Sequence, residues 1–149
     1  MIFPIVLLCS ITADQLVKTL LISFLPLNQP QPLIGHFLYL TLTWNTGAAF
    51  SFLPQAASFF LVFNLLAIAV PFALYKTLIL QRPLFQIACG LITGGAFGNV
   101  LDRLQYGKVI DFIDVRFWPV FNLADSCIFV GAFLFALVLL FGSRKPSPS

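Results

Sequence analysis

Glutamate does not occur in this chain, and its five acidic residues are all aspartates. There is one histidine, and the three cysteines, Cys9, Cys89 and Cys127, sit inside apolar runs without paired spacing. Those cysteines read as small hydrophobic residues rather than disulfides or metal ligands. There is no cluster of His, Cys or Glu to hold a metal and no Gly-rich loop to cradle a phosphate. A serine or cysteine nucleophile needs a base, and His36 stands in no triad or metal spacing, so a surface or interfacial role is expected for it. Charge is scarce as well, at 9% of residues against about 25% in an ordinary soluble domain. The net charge of +3 forms no basic run or basic–aromatic face, so nucleic acid is not an expected partner.

What fills the chain is apolar: 60% of its 149 residues, with a mean hydropathy of +1.00. That composition describes an integral membrane protein whose first partner is the lipid bilayer. Four spans are expected, at about 2–23, 58–75, 84–104 and 120–141, within a single membrane domain of residues 1–149. The first lacks a positive leading region and carries Asp14 and Lys18 late in its length, so it reads as a retained span. Outer loops are expected at about 24–55 and 105–119, with a polar tail at 142–149. In the first loop Pro26, Pro30 and Pro32 interrupt helix. Then His36–Trp44 alternates with aromatic and β-branched residues, as a strand would, and Asn45-Thr46-Gly47 signals a turn. The expected fold is therefore an α-helical integral membrane protein, four transmembrane helices with a small extracytoplasmic β-sheet platform. Phe37, Tyr39 and Trp44 suit the membrane interface. Lys76, Arg82, Arg144 and Lys145 fall on the side of the termini, against Lys108 and Arg116 opposite, so both termini are expected in the cytoplasm.

Polar residues inside the spans are few and costly, which makes them candidates for function. Asp14 and Lys18 stand i,i+4 with the acid first, the favourable order for an ion pair that serves either packing or a site. Gly90, Gly94 and Gly98 share one helix face and suit close helix packing. Asn64, alone in an otherwise apolar second span, reads as structural. Asn99 and Arg103 share a face near the outer end of the third span, and adjacent Asp102 points elsewhere. Asn122 and Asp125 open the fourth.

Three of the five acids fall in Val109–Asp125. Asp111 and Asp125 would lie about 21 Å apart on one helix. Pro119 breaks helix between them, so the segment can fold back and bring the two carboxyls together. Two carboxyls in one dry site cannot both ionise easily and share a proton. The charged one can take a proton from water while the neutral one polarises a carbonyl. Asn45, Asn99 and Asn122 can orient them, and Arg103 can bind a phosphate or steady a carboxylate. Composition alone does not exclude Asp114, three residues from Asp111, from the pair; outside it, Asp114 would be solvated or meet Arg116 or Lys108 weakly at the surface. A small ion-coupled transporter, with Asp14, Lys18, Asp102 and Arg103 as a relay, is the main rival. It would place its site near the midplane, often in repeated halves, whereas these residues gather at one boundary and no internal repeat is found. A non-catalytic scaffold associating through the glycine face leaves Asp111 and Asp125 unexplained.

Five ordered elements span nearly the whole chain: Asp14-Gln15-x-x-Lys18, Asn45-x-Gly47-Ala48-Ala49-Phe50, Gly94-Gly95-Ala96-x-Gly98-Asn99-x-x-Asp102-Arg103, Val109-x-Asp111-Phe112 and Phe121-Asn122-x-Ala124-Asp125. In this order they resemble the motif regions of the lipoprotein signal peptidases, the type II signal peptidases of bacteria. The resemblance implies an aspartic endopeptidase of the bacterial inner membrane, active toward its outer face, with no metal or organic cofactor. Its substrates would be diacylglyceryl-modified prolipoproteins, cut immediately before the lipid-modified cysteine. It implies Asp111 and Asp125 as the catalytic pair. Asp14, Lys18, Asn45, Gly47, Asn99, Asp102, Arg103, Asn122 and Ala124 would then be binding or supporting positions, with a hydrogen-bonding structural role for Asp102.

Overall fold

The computed structural model describes residues 2–46, 56–74 and 82–141, the side chains of 56–60 and 74 excepted. Four helices, α1 (Ile2–Phe24), α2 (Ala56–Leu74), α3 (Pro83–Tyr106) and α4 (Leu123–Phe141), are accompanied by three strands, β1 (Gln31–Ile34), β2 (Leu38–Asn45) and β3 (Val109–Asp114). By length and composition α1, α3 and α4 can each cross a membrane, and α2 contains the shorter apolar stretch Leu61–Ala73. Gly47, the last residue of the expected Asn45-Thr46-Gly47 turn, and the tail at 142–149 lie outside the described residues.

Helix α3 is the centre, with α1, α2 and α4 all packed on it. On one face of α1 the buried residues Ser10, Asp14 and Lys18 recur every four positions, while Ile5, Leu8, Leu16 and Leu20 point outward. The facing stripe of α3 is Gly90, Gly94 and Gly98, which meet Val6, Ser10 and Asp14 in turn. Each step of four along α1 matches a step of four along α3, so the two helices run parallel. Their backbones are close: a Cβ on Gly94 would stand 2.7 Å from Ser10 Cβ and 2.8 Å from the Leu7 carbonyl. Helix α4 runs antiparallel on another face, where a Cβ on Gly131 would stand 2.7 Å from the Ala88 carbonyl. Phe3, Phe85, Cys89 and Val138 form a buried apolar cluster with Leu7 and Phe135 against it. Phe72 of α2 meets Phe3 edge-on at 5.7 Å.

The sheet is antiparallel in the order β1–β2–β3. Pro32 lies in β1, an edge strand, where its missing N–H costs no ladder bond. Exposed His36 sits in the turn between β1 and β2. Trp44 is covered rather than freely presented, with Tyr106 at 5.4 Å and the Lys108 ammonium 5.2 Å from its ring.

The second expected outer loop is largely regular structure. Helix α3 continues to Tyr106 and ends at Gly107, whose φ of 71° lets its N–H reach the Arg103 carbonyl at 3.0 Å. Val109–Asp114 then pairs with β2 as a third strand. Beyond it the chain reverses at Val115–Phe117, where Arg116 adopts a φ of 69°. The fold-back is thus made upstream of Pro119. It is held by Phe121, which exchanges backbone bonds with Ile113 at 2.7 and 3.0 Å. Because Phe121 is in that bridge and Asn122 caps the next turn, α4 starts at Leu123 rather than at 120.

Candidate active site

Asp111 comes from β3, opposite Thr43 of β2, with buried Ile110 and Phe112 on either side. Asn45, at the end of β2, donates to its Oδ2 at 2.8 Å, and Asn122 donates to its Oδ1 at 2.7 Å. Only 2% of Asp111 is exposed. Burial, and next the charge of Asp125, push its carboxyl up to about 6 against the pull of those two amides and Lys18.

Asp125 lies in the first turn of α4, where the helix N-terminus favours negative charge. Asn122 and Asp125 form a reciprocal cap. The Asp125 N–H donates to Asn122 Oδ1 at 2.8 Å, and the Asn122 N–H donates to Asp125 Oδ2 at 3.3 Å. The same Asn122 side chain therefore holds both acids, one through its NH₂ and the other through its carbonyl. Asn99 of α3 donates to Asp125 Oδ1 at 2.8 Å and accepts from Asn122 Nδ2 at 3.1 Å.

Behind the acids lies an ion cluster that spacing along the chain only half reveals. Lys18 Nζ is 2.7 Å from Asp14 and equally 2.7 Å from Asp102, with all three side chains at 1% exposure or less. It also donates to Asn99 Oδ1 at 3.4 Å. Asp14 Oδ1 accepts the Ala124 N–H at 2.9 Å, and Asp102 Oδ2 accepts the Ile110 N–H at 3.1 Å. Ala124 and Ile110 are the residues immediately before Asp125 and Asp111. One buried lysine thus anchors the two carboxylates that grip the backbone beside each site acid, a geometric role worth more than the pair's net stability. Gln15 completes the cluster, donating to Asp102 Oδ1 at 2.9 Å and the Gly98 carbonyl at 3.2 Å. Its place beside Asp14 in the first motif was the available signal, though it was not among the expected site residues.

Asp114 meets Arg116, as one of the two expectations had it, but is not solvated. It is buried, accepting from Thr41 Oγ1 at 2.7 Å and from the Arg116 N–H and Nη1 at 2.8 and 3.2 Å. Three residues along an extended strand puts it on the opposite face from Asp111. Desolvation would raise its carboxyl, but the Thr41 bond and then the Arg116 contacts outweigh it and hold the group below the usual range. The Arg116 guanidinium also lies 4.7 Å from the centre of the Tyr39 ring.

Asp111 and Asp125 both open on a cavity of about 530 Å³, along with Asn45, Asn99 and Arg103. Arg103 donates to the Asn99 carbonyl at 3.1 Å. Helix α2 closes the cavity with Phe63 and Asn64, and the returning segment closes it with Trp118–Phe121. A second, almost wholly apolar groove of about 660 Å³ reaches the other side of Asp125, between Phe117, Trp118, Phe129 and Val130. Asp14, Lys18, Asp102, Asn122 and the Ala124 N–H stand behind the cavity as supports.

Two carboxyls held by neighbouring asparagines, facing a mainly apolar cavity in a membrane-embedded helical bundle, suit an aspartic protease that works on membrane-bound substrates. Residues 6–141 match the family model of signal peptidase (SPase) II. The chain is 39% identical over 138 residues to the lipoprotein signal peptidase of Moorella thermoacetica, covering 93% of this chain and 92% of that protein. With the lipoprotein signal peptidase of Syntrophomonas wolfei the identity is 48% over 126 residues, covering 84% and 83%. A bacterial membrane enzyme solved by the in meso method at 2.3 Å resolution superposes with a TM-score of 0.84 at 26% identity, covering 97% of this chain and 93% of that one. The chain belongs to the signal peptidase II family.

Proposed function

We propose that this chain, an aspartic protease that removes signal peptides from prolipoproteins, cuts immediately before the lipid-modified cysteine and uses Asp111 and Asp125 as its catalytic pair. The observation that carries this reading is that Asn122 donates to both carboxyls, its side-chain NH₂ to Asp111 and its backbone N–H to Asp125, at the wall of one cavity. Asp111, its carboxyl pushed up to about 6, is the natural holder of the shared proton. Asp125, at a helix N-terminus, is the natural charged partner. Water then adds to the scissile carbonyl carbon as Asp125 takes its proton and Asp111 protonates the carbonyl oxygen. Collapse of the resulting diol breaks the C–N bond. Asp125 hands its proton to the departing cysteine nitrogen, and a diol hydroxyl returns one to Asp111. Every proton is accounted for, and the pair ends as it began.

In this reading the chain spans the bacterial inner membrane four times with both termini cytoplasmic, the sheet lies outside, and the site opens toward the outer face. The excess of Lys76, Arg82, Arg144 and Lys145 on the side of the termini supports that orientation. A diacylglyceryl anchor keeps the cleavage point at the depth of the cavity. Its chains would lie in the neighbouring apolar groove, gaining about 0.8 kcal/mol per methylene withdrawn from water. Asn45, Asn99 and Asn122 orient the acids, Arg103 faces the substrate, and Asp14, Lys18, Asp102 and the Ala124 N–H hold the frame. Gly47 is included among the substrate-binding or supporting positions on its motif alone.

The test is purified protein in detergent with a lipidated precursor peptide, read by gel shift. Asp111→Asn and Asp125→Asn are each expected to abolish cleavage, and Asp114→Asn to keep most of it. Full activity in either of the first two overturns the assignment of the pair.

A further inference from the structure

Asn64 differs from the other carboxamides at the cavity. Asn45 and Asn122 donate to Asp111, and Asn99 donates to Asp125. Asn64 lies in the apolar stretch Leu61–Ala73 of α2, only 4% exposed, yet its side chain has no hydrogen-bond partner among the described residues. Nor is its amide sealed off. Among the described residues, the only fully occluded side-chain polar atom without a partner is Thr93 Oγ1. The Asn64 amide therefore keeps its access to the cavity that Asp111 and Asp125 line. Eight residues into the helix, it stands about 12 Å below the start of α2. An unpaired amide at that depth is costly, and such residues in a span mark function.

The substrate supplies the missing partner. To present its scissile bond to two carboxyls, the bound peptide must leave helical geometry, which frees backbone N–H and C=O groups. Away from water those groups each cost several kcal/mol unless the protein pairs them. Arg103 can only donate, whereas a carboxamide both donates and accepts, as an unwound peptide requires. We propose that Asn64 is a substrate-binding residue, pairing with the backbone of the unwound peptide beside the scissile bond from the wall opposite the aspartates' own supports. This rests on reading the cavity as the peptidase site.

The experiment compares wild type, Asn64→Leu and Asn64→Ala in detergent, using a diacylglyceryl precursor peptide. For Asn64→Leu, kcat/KM is expected to fall about tenfold, the loss of one buried hydrogen bond to substrate, mainly through KM and with an unchanged pH profile. Its melting temperature should stay level or rise, because leucine removes an unpaired amide. The same defect is expected with an ether-linked dialkyl substrate, which lacks ester carbonyls. Wild-type kcat/KM in both variants overturns the proposal, as does a defect that disappears on the ether substrate, since the amide would then serve the lipid. A lower melting temperature in both variants with KM unchanged makes Asn64 structural. If wild type itself does not cleave, the peptidase reading fails first, and that outcome is distinct from the others.

Discussion

Asp111→Asn should separate stability from activity in a way that depends on pH. In the folded protein the Asp111 carboxyl is pushed up to about 6, first by burial and then by Asp125. Relative to an ordinary carboxylate this is a displacement of about two pH units, or about 3 kcal/mol. The sign follows from proton counts. Between about pH 4 and 6 the folded state binds the extra proton, so stability falls as pH rises through that window and stays low above it. Asparagine cannot ionise and removes this slope. It also offers one NH₂ where Asp111 accepts from two amides, so either Asn45 or Asn122 must turn, at about 1 kcal/mol. Near pH 7 the variant should therefore be about 2 kcal/mol more stable than wild type while cleaving nothing. Melting followed by the fluorescence of Trp44 and Trp118 from pH 4 to 8 reads both slope and offset. A variant curve that runs parallel to the wild-type curve across pH 4–6 would refute the reasoning, whatever happens to activity.

Lys18→Met should cost about 3–5 kcal/mol, because Asp14 and Asp102 then face each other buried without their cation. A lower melting temperature and reduced cleavage should appear together, since the same carboxylates hold Ala124 and Ile110. Gly94→Ala should destabilise by about 1–3 kcal/mol, because the new methyl meets Ser10 Cβ and the Leu7 carbonyl at under 3 Å and backbone cannot yield cheaply. Its melting temperature should fall more than that of the control Leu104→Ala, at an exposed position of the same helix. Asp114→Asn should cost about 1–2 kcal/mol near neutral pH while leaving most cleavage. Because the Asp114 carboxyl is held low, its contribution is present above about pH 4 and disappears as pH falls further, which acid melting curves would show.

The scarcity of acids drew attention to Val109–Asp125, but only the resemblance to family motifs set Asp114 apart from Asp111. The helical spacing of Asp14 and Lys18 announced a pair, and the four-residue glycine repeat announced close packing. Contacts between distant segments were less legible. Nothing in the spacing said that Lys18 would also reach Asp102, since that contact needs α1 and α3 to run parallel at one fixed offset. Strand β3 was hidden because Val109, Ile110 and Phe112 are all buried, so its two faces lack the polar–apolar contrast that marks a half-exposed strand. Asp114 misled for the same reason: without the strand there was no parity to set it on the far face beside Thr41. Asn64 read as structural because a lone amide in an apolar run shows its meaning only once the cavity beside it is known.

The bond from the Ala124 N–H to Asp14 joins the last helix to the first, across 110 residues of chain. Of the two acids, one arrives with β3 and the other with α4, so both come late, while the lysine cluster that seats them begins in α1. No shorter stretch of this polypeptide contains a complete site. In the order of synthesis the acids and the cluster that seats them are therefore brought together only when the final helix docks. On the proposed pairing of Asp111 and Asp125, that long-range wiring would hold back cleavage until the last helix is in place.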